Sequence, residues 1–318
     1  MRPNILYIVV PCYNEEAVLP ETARRLWEKL EGLISLGQIS PRSKVLFVND
    51  GSKDRTWELI AQLHASSPLF SGVNLSRNQG HQNALLAGLM TARERADAVI
   101  SMDADLQDDI GAVDAMVAKY HEGCDIVYGV RSSRKKDSFF KRVTAEGFYR
   151  LMNFMGANLV FNHADYRLMS KAALDALADF KEVNLFLRGI VPMLGFTSAV
   201  VEYERGERFA GESKYPLRKM LSFAMEGITS FSVKPIRWIT ALGVLIFLVS
   251  IAMLITFVVQ WAQGGTVAGW ASVICSVWAI GGLVLLALGV IGEYVGKVYL
   301  ETKARPRFLI QEVLDGDE

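Results

Sequence analysis

The sequence predicts an open α/β domain followed by two apolar helices long enough to cross a membrane. Short apolar runs, typical of strands buried on both faces of a parallel sheet, alternate with polar turns and amphipathic segments through the N-terminal part of the chain. Two uncharged stretches, 239–259 and 270–292, follow, and each reaches the roughly 20 residues that a membrane-spanning helix needs. The 34 basic and 34 acidic residues balance, so the net charge indicates no nucleic-acid partner.

The strands are predicted at the β-prone apolar runs. They are 5–10, 44–48, 72–75, 98–102, 125–130 and 199–203. A helical segment is predicted after each of the first three, the second beginning near Thr56 with Ser52 or Asp54 as its cap. Ligands of open α/β sheets bind beyond the carboxyl ends of the strands, so the polar turns after the first four strands should converge on one crevice.

The turn after the fourth predicted strand carries two carboxylates, in the stretch S-M-D-A-D-L-Q at 101–107. In an extended chain, side chains two apart point the same way, so Asp103 and Asp105 would face one spot, with Gln107 on the same side. Hard divalent cations such as Mg²⁺ or Mn²⁺ prefer oxygen ligands of this kind. The same residues would also suit a solvated turn or a helix cap. The flanking motifs are needed to decide between these structural roles and a cation site.

Charge and aromatic placement predict the orientation of the two apolar stretches. Aromatic residues stand at their ends, and the connector 260–269 has no Lys or Arg. The outer ends are flanked by Lys234, Arg237, Lys297, Lys303, Arg305 and Arg307. The positive-inside rule therefore predicts that the N-terminal domain and the C-terminal tail are both cytoplasmic. Three cysteines without metal-ligand spacing argue against a disulfide scaffold or a zinc site.

Six motifs, in this order, resemble those of inverting, A-type glycosyltransferases of family 2. They read P-C-Y-N-E-E (11–16), V-N-D-G-S-K-D-R-T (48–56), S-R-N-Q-G-H-Q-N-A (76–84), D-A-D-L-Q-D (103–108), D-Y-R-L (165–168) and R-F-A-G-E-S-K-Y (208–215). The two apolar stretches, ending in G-E-Y-V-G-K, narrow the resemblance to the bacterial polyprenyl-phosphate glycosyltransferases, the GtrB-like relatives of dolichol-phosphate mannose synthase.

The resemblance implies a domain organisation and a location. A Rossmann-like GT-A domain that binds a nucleotide sugar is expected at 1–215 and an interfacial amphipathic helix at 216–235. A hairpin of two transmembrane helices is expected at 236–294 and a cytoplasmic tail at 295–318. The protein would lie in the bacterial plasma membrane, with a flippase as a partner and a homotetramer as its assembly.

Roles on the donor side follow from the resemblance. The residues implied to bind the donor are Pro11, Tyr13, Glu15, Asp50, Asn78, Asp103, Arg208, Ser213 and Lys214, the last three from a mobile loop. Asp103, Asp105 and Gln107 would hold Mg²⁺ or Mn²⁺. Asp105 is also expected to be a catalytic residue. Asp50 could instead cap a helix.

Roles on the acceptor side are implied in the same way. Asp165 corresponds to a catalytic carboxylate and would act as a base or an orienting group; a cap for a helix near Leu168 is the alternative. Arg131, Ser132 and Arg134 would bind the acceptor phosphate, although 134–136 could also be a solvated basic loop near anionic lipid. A phosphate monoester has a second pKa of about 6 and is already largely ionised, so it can attack without a base. His81 and His163 are expected to be structural.

The expected reaction is transfer of one sugar from a nucleotide sugar to undecaprenyl phosphate. UDP-glucose is the first donor by resemblance, and UDP-GlcNAc, UDP-GalNAc and GDP-mannose stay open. A processive polysaccharide synthase is one alternative, but its Q-x-x-R-W motif survives only as Arg237-Trp238. A membrane-bound nucleotide-sugar sensor without activity is another, and it would be expected to lack Asp103 or Asp105.

Overall fold

The computed structural model describes residues 4–132, 163–183, 186–204, 206, 234–263 and 269–316. The strands are β1 Leu6–Cys12, β2 Lys44–Asn49, β3 Phe70–Leu75, β4 Ala98–Ser101, β5 Ile126–Arg131, β6 His163–Ser170, β7 Ser198–Tyr203 and β8 Ile310–Leu314. The helices, numbered through the described residues, are α1 Leu19–Ser35, α2 Thr56–Ser66, α3 His81–Arg93, α4 Ala112–His121, α5 Lys171–Ala178, α6 Leu187–Met193, α7 Lys234–Ala262 and α8 Trp270–Lys303.

The eight strands form one mixed sheet in the order β7-β5-β6-β4-β1-β2-β3-β8. All six strands predicted from the sequence are present and run in the same direction. The two others run against them: β6 lies between β4 and β5, and β8 pairs with the outer edge of β3. The fold is therefore a GT-A-like α/β fold with a mixed sheet, and the two antiparallel strands are additions to the six predicted strands.

Asp165 lies inside the antiparallel strand β6, so it does not cap a helix, which is the alternative role considered for it. The stretch from His163 to Ser170 is strand, and helix α5 begins only at Lys171. Its cap is Ser170, whose Oγ accepts a hydrogen bond from the backbone N of Ala173 at 3.1 Å. The charged residues inside β6 interrupt the apolar pattern from which the other strands are predicted.

Each face of the sheet carries its own apolar core. Helices α1, α2 and α4 pack on one face, and α3, α5 and α6 pack on the other. Strand β1 is buried along its whole length, as a strand covered on both faces must be. Helix α3 lies very close to the sheet at Gly88, where a Cβ atom would stand 2.4 Å from Val9 Cγ1 and 2.6 Å from Val48 Cγ2.

The two apolar stretches form the long helices α7 and α8, which contain the predicted spans 239–259 and 270–292. Among the described residues, one helical stretch, Ile280–Lys303, is long and apolar enough to cross a membrane, with a mean hydropathy of 1.7. Apolar side chains along it are exposed, Leu285 by 71%, which fits lipid rather than a protein core around the helix. That both helices cross the membrane stays a prediction.

The segment 295–318, predicted as a tail, is partly built into the folded domain. Helix α8 continues to Lys303, and β8 then joins the sheet. The predicted interfacial helix at 216–235 lies outside the described residues, apart from the two residues at which α7 begins.

We expect the substitution Gly88→Ala to destabilise the protein by about 1–3 kcal/mol, because the added methyl group overlaps two valines of the sheet. The matched control is Gly32→Ala in α1, where a Cβ atom meets nothing within 4 Å. Alanine is the better helix former, so this control should leave stability unchanged or raise it slightly. Thermal unfolding of the detergent-solubilised chain measures both, and an equal response of the two variants would contradict the packing described.

Candidate functional site

The turns after β1 and β2 are bonded to each other. The backbone N of Asn14 donates to Ser52 Oγ at 3.0 Å, and Asn14 Oδ1 accepts from the backbone N of Lys53 at 2.8 Å. Asn14 has a φ of 56°, a left-handed conformation that asparagine tolerates better than most residues. The backbone N of Glu15 donates to Thr56 Oγ1 at 2.9 Å. These two motifs therefore form one wall of the predicted crevice.

The turn after β3 is held by Asp50, which is buried at the end of β2. Its two carboxylate oxygens accept hydrogen bonds from the backbone N atoms of Gln79 at 2.7 Å and Gly80 at 3.0 Å. Burial raises the pKa of Asp50 even though these two bonds favour its charged form. Asp50 thus orders the start of α3, whereas Asp54 begins α2 by accepting the backbone N–H of Thr56 at 3.1 Å.

The glycine after Asp50 lets the second and third turns touch. Gly51 has a φ of +62°, and a Cβ atom there would lie 2.5 Å from the carbonyl carbon of Arg77. A side chain at this position would push the two turns apart.

The loop after β4 is a turn rather than an extended strand. Leu106 adopts a φ of 57°, and the backbone N of Gln107 donates to Asp105 Oδ1 at 3.2 Å. Asp103, Asp105 and Gln107 are nevertheless all partly exposed at the sheet edge. The expected extended geometry is wrong, but the turn still places these three residues beyond the carboxyl end of β4.

Negative charge is concentrated around Asp103. Burial, together with the carboxylates of Asp108, Asp165 and Asp105, raises the pKa of Asp103 to about 6, against the opposing influence of His81. A site that gathers carboxylates in this way suits a cation. No group of three or more His, Cys, Asp or Glu residues suited to a metal ion is found in the described part of the chain. Mg²⁺ commonly takes one or two carboxylates and completes its coordination with water and substrate phosphates.

Asp165 is the centre of a buried charge cluster. Its Oδ1 accepts a hydrogen bond from Arg167 Nη2 at 2.6 Å, and its Oδ2 accepts one from Arg188 Nη2 at 2.9 Å. Arg188 Nε lies 3.3 Å from Oδ1, so that arginine binds both oxygens. Burial alone would raise the pKa of Asp165, but Arg188, His81 and Arg167 reverse this and hold it well below its usual range. Asp165 is therefore ionised and poorly suited to accept a proton.

His81 connects this cluster to the turn after β4. Its Nε2 lies 3.7 Å from Asp165 Oδ2 and 3.5 Å from Asp103 Oδ1. Burial disfavours the protonated ring, but the two carboxylates outweigh it and raise the pKa of His81. The expectation that His81 is merely structural is incomplete, because the ring stands between two residues that the motifs single out.

Helix α6 brings two further residues to the site. Arg167 Nη1 donates to the carbonyl O of Leu187 at 3.4 Å, and the backbone N of Leu187 donates to Gln82 Oε1 at 3.0 Å. Arg188 follows directly and reaches Asp165. No role is predicted for Arg188, because an arginine after an apolar run carries no signal of its own. Gln82 lies within the motif at 76–84, but no role is predicted for it either.

The remaining predicted residues lie at the same edge or outside the described residues. Arg131 Nε donates to the hydroxyl of Tyr203 at 3.5 Å, and the backbone N of Ser132 donates to the carbonyl O of Tyr203 at 3.0 Å. Pro11 is buried in β1, while Tyr13 and Asn78 are exposed. Arg134, Arg208, Ser213 and Lys214 lie outside the described residues.

We expect Asp165→Asn to destabilise the protein by about 3–5 kcal/mol, because it leaves the buried guanidinium of Arg167 without its carboxylate. The stabilisation by Asp165 is present above the ordinary carboxyl pKa and is lost as pH falls toward its lowered folded-state value. Glu21→Gln, which removes the carboxylate that pairs with Arg24 on the exposed face of α1, is the control and should leave the melting temperature unchanged. Similar melting temperatures for the two variants would contradict the cluster's role.

Comparison with known proteins places this geometry in a family. Residues 7–178 match the family described as glycosyl transferase family 2. The glycosyltransferase YkoT of Bacillus subtilis (strain 168) is 57% identical over 306 residues, which cover 96% of this chain and 91% of that protein. The bactoprenol glucosyl transferase of Shigella phage SfX is 40% identical over 310 residues, covering 96% and 98%. The prophage bactoprenol glucosyl transferase homolog of Escherichia coli (strain K12) is 38% identical over 314 residues, covering 96% and 98%. The chain belongs to glycosyltransferase family 2, and it is an enzyme of that family.

Proposed function

We propose that this enzyme transfers one glucose from UDP-glucose to a polyprenyl phosphate, with inversion at the anomeric carbon. The observation that carries the proposal is the extent of the likeness to the bactoprenol glucosyl transferases. It covers 96% of this chain, and so includes the long apolar helices as well as the sheet domain. Bactoprenol is a polyprenol, which makes a lipid-linked phosphate the natural acceptor.

The donor would bind at the turns after β1 to β4. Pro11, Tyr13 and Glu15 would line one side of the nucleoside pocket. Asn78, in the turn after β3 that Asp50 orders, would close the other side. Asp103, Asp105 and Gln107 would hold Mg²⁺ or Mn²⁺ beside the diphosphate, and Arg208, Ser213 and Lys214 would close over it. When bound, the ion would neutralise the charge that develops on the leaving nucleoside diphosphate.

The acceptor would react without a protein base. Its phosphate has a second pKa of about 6 and is largely a dianion at neutral pH, whereas Asp165 is held ionised by its arginines. A phosphate oxygen would attack the anomeric carbon as the bond from that carbon to the UDP oxygen breaks. Arg131, Ser132 and Arg134 would bind the phosphate, and Asp165 would orient cations instead of accepting a proton.

The apolar helices would bring the crevice to the membrane. The exposed apolar side chains of Ile280–Lys303 support insertion of α8, and the charge pattern supports a two-helix hairpin with the sheet domain on the cytoplasmic side. A flippase for the product and a homo-oligomer, with a tetramer as first guess, complete the proposal. A processive synthase is disfavoured because two helices are few for a polymer channel.

The proposal predicts that purified protein transfers radiolabelled glucose from UDP-glucose to short-chain polyprenyl phosphate, giving one chloroform-soluble product. EDTA should abolish the transfer and Mg²⁺ or Mn²⁺ restore it. A panel of UDP- and GDP-sugars tests the sugar and the nucleotide. A water-soluble polymer would indicate the synthase, and tight donor binding without any product would indicate the sensor.

Asp105→Ala should fold and insert normally yet lose more than about 100-fold of the transfer rate, because it removes a carboxylate from the ion site. Asp109→Ala is the matched control, since Asp109 is an exposed carboxylate in the same loop whose Oδ1 accepts a local bond from Gly111 N at 2.8 Å. Full activity of Asp105→Ala would remove the ion site from the proposal.

A further inference from the structure

We propose that Arg188 binds the phosphate of the lipid acceptor, an inference that rests on the function proposed above. Arg188 is the second residue of α6, and its side chain is 40% exposed. The other arginine of the cluster, Arg167, is only 2% exposed and lies in the protein interior. Of the two guanidinium groups that bind Asp165, Arg188 is therefore the one that an incoming anion can reach.

Contacts to the side chain of Arg188 and to the backbone of the preceding residue hold Arg188 in one orientation. Asp165 binds its Nε and Nη2 together, which fixes the plane of the guanidinium. The preceding residue, Leu187, is buried, and its carbonyl and amide are bonded to Arg167 and Gln82. Surface arginines ordinarily keep several rotamers, and ordering one costs conformational entropy. An arginine ordered before its ligand arrives loses less on binding and is preorganised for a phosphate.

The position of Arg188 fits the acceptor better than the donor. A series of contacts runs from Asp103 through His81 and Asp165 to Arg188, at 3.5, 3.7 and 2.9 Å. The donor diphosphate is placed at the Asp103 end. Inversion requires the attacking oxygen to approach the anomeric carbon from the side opposite the leaving diphosphate, and a phosphate bound by Arg188, at the other end of this series from Asp103, would lie away from the diphosphate.

The local charge also favours a phosphate at Arg188. The guanidinium groups of Arg167 and Arg188 both bind the carboxylate of Asp165. At the other end, Asp103 lies among the carboxylates of Asp105 and Asp108. The partly exposed guanidinium of Arg188 is thus separated, through Asp165 and His81, from the carboxylates around Asp103. Hydrogen bonds between guanidinium and phosphate are charge-assisted and among the stronger ones in proteins.

The test is a steady-state comparison of Arg188→Gln and Arg188→Lys with the wild-type protein. We expect Arg188→Gln to raise the KM for short-chain polyprenyl phosphate by roughly 10- to 100-fold, while the affinity for UDP-glucose, measured by calorimetry, stays within about twofold. Arg188→Lys keeps the charge but loses the bidentate hydrogen-bond geometry, so its KM for the acceptor should lie between those of the wild-type protein and Arg188→Gln. Arg24→Gln, which removes an exposed arginine that pairs with Glu21 on α1, is the control and should leave both values unchanged.

The outcomes distinguish binding of the acceptor phosphate by Arg188 from a purely structural role of this residue. A raised acceptor KM at unchanged donor affinity and unchanged melting temperature, with partial recovery in the lysine variant, supports the inference. An unchanged acceptor KM, or a parallel loss of UDP-glucose affinity, overturns it. If Arg188→Gln does not fold, the lysine variant alone decides, since a selective rise in acceptor KM is still required of it. Absence of lipid-linked product from the wild-type protein would instead defeat the proposed function itself.

Discussion

The crevice depends on one buried charge that cannot be left unpaired. Arg167 is fully inside the protein, and a guanidinium there requires a carboxylate. Asp165 supplies it from the same strand, two residues away. Because β6 runs against its neighbours, its first residues lie at the edge where the other strands end. One antiparallel strand thus brings a structural ion pair to the place where the parallel strands present their polar turns, and the pair becomes part of the site.

Much of this arrangement can be predicted from the sequence. The six strands with apolar runs follow from the pattern alone, and so does the convergence of the polar turns after the first four of them. Strand β6 could not be found in this way, because its buried Asp165 and Arg167 make it look like a polar turn. Strand β8 follows a long apolar helix and reads as a tail. The contacts of His81 and Arg188 depend on tertiary packing between α3, β6 and α6, which no local pattern records.

The C-terminal segment links the apolar helices to the crevice. Near the end of α8, Glu301 Oε2 accepts the backbone N of Val183 at 2.8 Å, and Arg307 Nη1 donates to the carbonyl O of Phe180 at 3.0 Å. The chain then pairs with β3, where the backbone N of Ser76 donates to the carbonyl O of Leu309 at 3.0 Å. Ser76 begins the turn that Asp50 orders. Helix α8 is thereby bonded to a wall of the site, which suits a reaction between a soluble donor and a lipid.

In the proposed reaction Asp165 stays ionised and the acceptor phosphate is its own nucleophile. The most direct measurement is the pH dependence of kcat/KM for two acceptors, a short-chain polyprenyl phosphate and the matching phosphonate, whose second pKa is higher. If the acceptor dianion attacks unaided, the acid limb of the profile should move upward with the second pKa of the acceptor. An acid limb at the same pH for both acceptors would mean that a protein group, and not the phosphate, must lose the proton, and would contradict the claim.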